Sequence, residues 1–164
     1  MKKYLLILIA IFGFGFLDVS AQDGFKIVTK HPDFKIKIKR CVASDKTVIL
    51  DMVFLNVGDY DSNRVSLNKG CGEAYDDQGN VYTYKNFRVS KAANSSEVNI
   101  YGNYDFSMLS NIPVNISMII ENVPTIAESI ARIRITHFSC KEWSISPYDK
   151  SESIEIYNVP ITRD

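Results

Sequence analysis

The chain has 164 residues, with 19 lysines and arginines against 19 aspartates and glutamates, so its formal charge is zero and no global field steers it to nucleic acid or an acidic membrane. Hydrophobic residues at 46% and aromatic ones at 12% exclude a disordered chain. Cys41, Cys71 and Cys140 allow at most one intramolecular bridge, and the sequence leaves all three pairings open.

Lys2 and Lys3 precede an uncharged run from Tyr4 to Leu17, and Val19-Ser20-Ala21 offers small residues to a signal peptidase. Residues 1–21 therefore read as an export signal, because the run falls short of the ~20 apolar residues of a spanning helix. Residues 22–164 are expected to form one domain, periplasmic or extracellular, with no stable membrane insertion after cleavage.

Gln22 to Asp33 reads as a lead-in with a short edge strand at Phe25 to Val28. Phe34, Ile36 and Ile38 then alternate with Lys35, Lys37 and Lys39, the period of a strand with one buried and one solvated face. The lysine row reads as an edge strand defended by charge rather than as a polyanion stripe, since no aromatic residues interleave with it. Val48, Leu50, Met52 and Phe54 run in step while Ile49, Val53 and Leu55 fill the other face, so Thr47 to Asn56 is expected to be a central strand. Asp51 interrupts it and is expected toward an edge or a loop.

Val57 to Gly70 is polar and reads as a solvated loop. Asp59, Asp61 and Asn63 have the alternate spacing of a calcium loop, but Arg64 stands where glycine is needed and Gly70 where a bidentate glutamate is needed. No metal is expected. Cys71 to Asp77 and Val81 to Val89 read as two strands joined by a turn, in which Gly79 and Asn80 accept positive φ and Asp76 and Asp77 are solvated tip residues. Ser90 to Asn111 reads as one short strand and a crossing between sheets.

Val114, Ile116, Met118 and Ile120 share one phase, and Pro124 ends that run because it cannot donate to a ladder. Thr125 to Ser129 reads as a helical turn, Ile130 to Phe138 as a strand with Ile133 and Ile135 inward, and Ser153 to Ile161 as the last strand. About seven or eight strands, mainly antiparallel, with almost no helical periodicity predict an all-β sandwich.

The run Leu50-Asp51-Met52-Val53-Phe54-Leu55-Asn56-Val57-Gly58, the turn Tyr75 to Tyr82, the strand start Ile112-Pro113-Val114 and the closing Ile156 to Ile161 resemble secreted bacterial immunoglobulin-like domains. These are the telokin-like domains of unknown function, akin to mycobacterial extracellular immunoprotective antigens. The resemblance implies an immunoglobulin-like β-sandwich and brings no catalytic residues. It also implies that Cys71 and Cys140 lie on antiparallel neighbours in one sheet and pair, leaving Cys41 as the spare thiol. Such a bridge stabilises by roughly 4 kcal/mol on the chain-entropy picture.

A nucleophile needs a base, and the only histidines are His31, in the lead-in, and His137, three residues from Cys140 on a strand and so on the opposite face. Glu73, Glu97 and Glu142 have no feature that singles them out as a hydrolytic pair. No enzyme and no cofactor are expected. Tyr60, Tyr104, Trp143 and Tyr148 fall in expected loops and are the candidate binding aromatics. Two functions follow: a non-catalytic module that binds a protein partner or, alternatively, a carbohydrate-binding accessory protein using those rings.

Overall fold

Alternating side chains build this fold, and the strand Thr47–Asn56 shows how: Val48, Leu50, Met52 and Phe54 are fully buried while the residues between them are half-buried. The computed structural model describes residues 24–29, 33–68, 72–83, 86–89, 97–98, 103–140 and 152–163. Among them every regular element is a strand. One sheet contains β1 (Lys26–Val28), β4 (Ser62–Asn68), β5 (Gly72–Asp76), β6 (Val81–Tyr82), β8 (Glu97–Val98), β9 (Asn103–Met108), β11 (Ser129–Cys140) and β12 (Glu152–Pro160). The other contains β2 (Phe34–Ser44), β3 (Thr47–Asn56), β7 (Asn86–Val89), β10 (Val114–Ile120) and β13 (Thr162–Arg163).

The larger sheet runs β1-β12-β11-β4-β9-β8, with β5 also on β11 and β6 on β5; the smaller runs β13-β2-β3-β10-β7. All pairings between strands are antiparallel except β13 on β2. Both sheets turn their apolar faces into a single core, to which one contributes Phe54, Leu50 and Met118 and the other Ile133, Met108 and Leu67. This is an all-β, sandwich-like architecture. The thirteen strands among the described residues exceed the expected seven or eight, because four segments of two or three residues add to the sheet edges and β4 forms within a stretch expected to be a loop.

β11 is the longest strand, at 12 residues, and its flank opposite β12 is shared by two strands. β4 takes Phe138 to Cys140 and β5 takes Ile130 to Ile135. The polar stretch 57–70 is thus not a loop throughout, because β4 occupies Ser62–Asn68 and buries Val65 and Leu67 completely. Two inward apolar residues among Arg64, Ser66 and Asn68 suffice when both neighbouring strands are present.

The stretch Val81 to Val89 is likewise two strands rather than one. Val81–Tyr82 pairs with β5, whereas Asn86–Val89 pairs with β10 in the opposite sheet, so the chain crosses between them. Thr125 to Ser129 forms a turn, closed by Ala127 N donating to Pro124 O at 3.1 Å, and not a helical turn. Asp51 sits mid-strand on the outer face, not at an edge or loop. Arg40 Nε and Ser117 Oγ, from the strands on either side, donate to its carboxylate at 2.6 and 2.5 Å.

In β2 the register shifts between Ile38 and Arg40, so Lys39 and Arg40 both face water and the buried phase moves from Phe34, Ile36, Ile38 to Cys41 and Ala43. The lysines do lie on an outer strand, but its far end is covered by β13, where Thr162 and Arg163 stand opposite Val42 and Ala43. Arg163 fixes this cover: Nη2 donates to Pro124 O at 2.8 Å and Ala127 O at 3.0 Å, and Nη1 to Asp45 O at 3.2 Å. The proposed export signal, residues 1–21, lies outside the described residues, and no helix among the described residues is long and apolar enough to cross a membrane.

Candidate functional site

At one end of the sheet pair, two loops are bonded into one unit around a buried asparagine. β3 ends at Asn56, whose side chain is fully buried; its Oδ1 accepts from Gly58 N at 3.0 Å, and its Nδ2 donates to Tyr60 O at 2.8 Å and Met108 O at 3.3 Å. The first of these is an Asx turn, which reverses the chain after the strand. Ser110 ties the second loop to the first: its N–H donates to Asp61 Oδ1 at 2.7 Å and its Oγ to Gly58 O at 2.5 Å. Asn111 N adds a bond to Asn56 O at 2.7 Å, with Asn111 in the left-handed region at φ 58°. Gly58 is closely approached, since a Cβ there meets Asp33 Cβ and Cγ at 3.1 Å and Asn56 Oδ1 at 3.2 Å, so a larger residue requires Asp33 to shift slightly.

This bonded frame holds apolar side chains in water. Tyr60 is 81% exposed, Ile112 50% and Leu109 44%. Leu109 and Ile112 are linked by Ile112 N donating to Leu109 O at 3.2 Å. Of the four candidate aromatics, Tyr60 is therefore on an exposed loop as expected. Tyr104 is not in a loop: it stands in β9, opposite Leu67 of β4 and Val98 of β8. Trp143 and Tyr148 lie outside the described residues, as does Cys71. β5 and β11 are antiparallel neighbours, with Gly72 opposite Ile135 and Cys140 opposite Val65. Cys41 is a buried free thiol, pushed up to about 12 by burial, which Asp51 reinforces and Arg163 opposes.

Of the paired aspartates, Asp77 is exposed as expected, and Asp76 is the clearest departure. Asp76 is not a solvated tip residue but is 2% exposed and accepts four hydrogen bonds. They come from Gln78 N at 3.0 Å, Asn80 N at 2.8 Å, Asn80 Nδ2 at 2.9 Å and the Tyr82 hydroxyl at 2.6 Å. Burial raises its pKa, but the bonds from Tyr82, Asn80 and Gln78 outweigh that and hold the carboxyl below its ordinary value. Asp77 reaches instead across the end of the sheet, accepting from Glu128 N at 3.1 Å. Asp76 thus organises the β5–β6 turn, and Asp77 ties that turn to the segment before β11.

The outer faces of the two sheets differ in charge. On the larger sheet Glu155 accepts from Arg132 Nη2 at 2.9 Å and from the Tyr157 hydroxyl, with Arg134 Nε at 3.7 Å. The Arg132 guanidinium also lies 5.7 Å from the centre of the Tyr157 ring, and Tyr75 donates to Glu73 at 2.7 Å. Charges there alternate in sign across neighbouring strands. The smaller sheet has no such alternation, since its strands contain one carboxylate, Asp51, against six basic residues.

Among the described residues no three histidine, cysteine, aspartate or glutamate side chains converge in a way that could hold a metal. His31 and Glu142 lie outside the described residues, and His137 and Glu97 are placed only as members of β11 and β8. The asparagine frame escaped sequence reading, although Asn56-Val57-Gly58 carries the Asx-turn signal at the end of an apolar strand. Searches against family models, curated proteins and solved structures returned no match for the chain.

Proposed function

We propose that the chain is an exported, non-catalytic immunoglobulin-like module that binds another protein through the loop end bearing Tyr60, Leu109 and Ile112. The observation that carries this reading is exposure on a bonded frame: Tyr60 at 81%, Ile112 at 50% and Leu109 at 44% project from loops tied together by Asn56 and Ser110. Large apolar side chains held in water lose little conformational freedom on binding when their loops are already fixed. A tyrosine beside two aliphatic residues is the composition of an interface core.

Carbohydrate binding is the second reading, favoured by the exposed Tyr60 ring, which has the planar surface that stacks on a sugar. Protein binding ranks ahead of it because Leu109 and Ile112 offer no hydrogen bonds to hydroxyl groups.

The test places a photo-cross-linking residue at 112 and, as control, at Val81, which is exposed near the opposite end. A single protein adduct formed from 112, absent from 81 and lost on Tyr60→Ser supports the reading. Equal labelling from both positions, or a glycan-array hit abolished by Tyr60→Ser, overturns it.

A further inference from the structure

The five strands of the smaller sheet gather positive charge in a chain whose total is zero. Lys35, Lys37, Lys39 and Arg40 of β2 and Arg88 of β7 are all exposed on its outer face. Asp51 is the sole acidic residue in these strands, and it is engaged by Arg40 Nε at 2.6 Å and Ser117 Oγ at 2.5 Å. Lys39 Nζ donates to Asn115 Oδ1 at 2.6 Å, a neutral acceptor that leaves the lysine charge uncancelled.

Position adds to composition. Lys35 stands opposite Leu55, Lys37 opposite Val53, and Arg88 opposite Ser117, so a lysine row along β2 and Arg88 on β7 flank half-buried Ile49, Val53, Leu55 and Ile119. The lysines of β2 repeat every second residue, about 7 Å apart along the strand. The lysine row alone, read from sequence, is an edge-strand defence; with Arg88 on the same face and the one carboxylate balanced by Arg40, it becomes a charged surface.

We propose that this face binds a linear polyanion of the acidic-polysaccharide class, laid along β2. The aromatic residues of these strands, Phe34, Phe54 and Phe87, are buried, so no ring is offered for stacking nucleic-acid bases. None of the exposed large apolar residues lies on these strands, so a lipid surface gains no anchor here. The face shares no residue with the Tyr60 end, and the two proposals stand or fall separately.

The test uses the full mature chain, with polygalacturonate and dextran sulfate as probes and neutral dextran as control. Both polyanions bind and dextran does not, and binding falls roughly tenfold between about 0.05 and 0.3 M salt. The triple variant Lys35→Gln, Lys37→Gln, Arg88→Gln binds roughly tenfold more weakly or worse, whereas Lys35→Arg, Lys37→Arg retains binding, as does Tyr60→Ser. Unchanged binding by the triple variant overturns the proposal. So does stronger binding to poly(dT) or to phosphatidylglycerol vesicles than to either polysaccharide.

Discussion

The Tyr82 hydroxyl donates to Asp76 Oδ2 at 2.6 Å, joining the second residue after a hairpin turn to the last residue before it. The carboxylate gathers donors that a turn otherwise leaves to water. Its folded pKa lies below the unfolded one, so its contribution is full above about pH 4 and disappears as pH falls through the lower folded value. Asp76→Ala is expected to lower stability by about 2–4 kcal/mol at pH 7, because buried donors lose a charged acceptor. Urea unfolding at pH 7 and pH 3 checks this: the difference from wild type shrinks at the lower pH. Tyr82→Phe removes one of four donors and costs about 1–2 kcal/mol.

Gly79, at φ +83°, sits in the same turn, and a Cβ added there meets nothing within 4 Å. Gly79→Ala therefore carries only a backbone penalty of about 1 kcal/mol, measurable as a shift in the urea midpoint without a change in slope.

Asn56 both accepts and donates, and this decides which substitutions it tolerates. Asn56→Ala leaves Gly58 N, Tyr60 O and Met108 O without their partner, an expected loss of about 2–4 kcal/mol. Asn56→Asp fares at least as badly at pH 7, because a carboxylate facing the Tyr60 and Met108 carbonyls cannot donate. Thermal unfolding ranks the variants, and amide exchange at Gly58 reports whether the loop frame loosens first.

Cys41 is 5% exposed, and burial pushes its thiol up to about 12, so in the folded protein it should resist iodoacetamide at pH 8 and react after guanidinium unfolding. Peptide mapping under non-reducing conditions identifies the labelled residue. The same map tests the proposed Cys71–Cys140 pairing, which predicts those two cysteines in one linked peptide pair.

Arg163 donates to three carbonyls with a fork that lysine cannot reproduce. Arg163→Lys and Arg163→Ala are both expected to cost about 1–2 kcal/mol, and amide exchange at Ile161, which donates to Glu128 O, should be faster in both variants than in wild type.

Where one apolar phase ran long enough, the strands were legible in the sequence: Val48 to Phe54, Val114 to Ile120 and Ile133 to Ile135 all face the core as alternation predicts. β4 was missed because Val65 and Leu67 are only two inward residues among polar ones, and their burial depends on β9 and β11, distant in sequence. Val81 to Val89 looked continuous because a crossing between sheets leaves no gap in composition. Asp51 and Asp76 are misjudged for a common reason: an acidic residue looks solvent-seeking until its donors, Ser117 and Tyr82 among them, are placed beside it. Of the candidate site, Tyr60 was legible from its loop, while the frame beneath it depends on Asn56 meeting Ser110's loop across the sheet pair.

The extra residue in β2 at Lys39 and Arg40 sets a reading frame for everything after it in that strand. Flattening the bulge with both residues kept would turn Cys41 and Ala43 out to solvent and drive Arg40 and Val42 into the interior, whereas deleting one of the two restores plain alternation and leaves the buried set unchanged. Homologous chains should therefore carry either two outward residues with the kink or one without it, and vary freely in which charged side chains stand there.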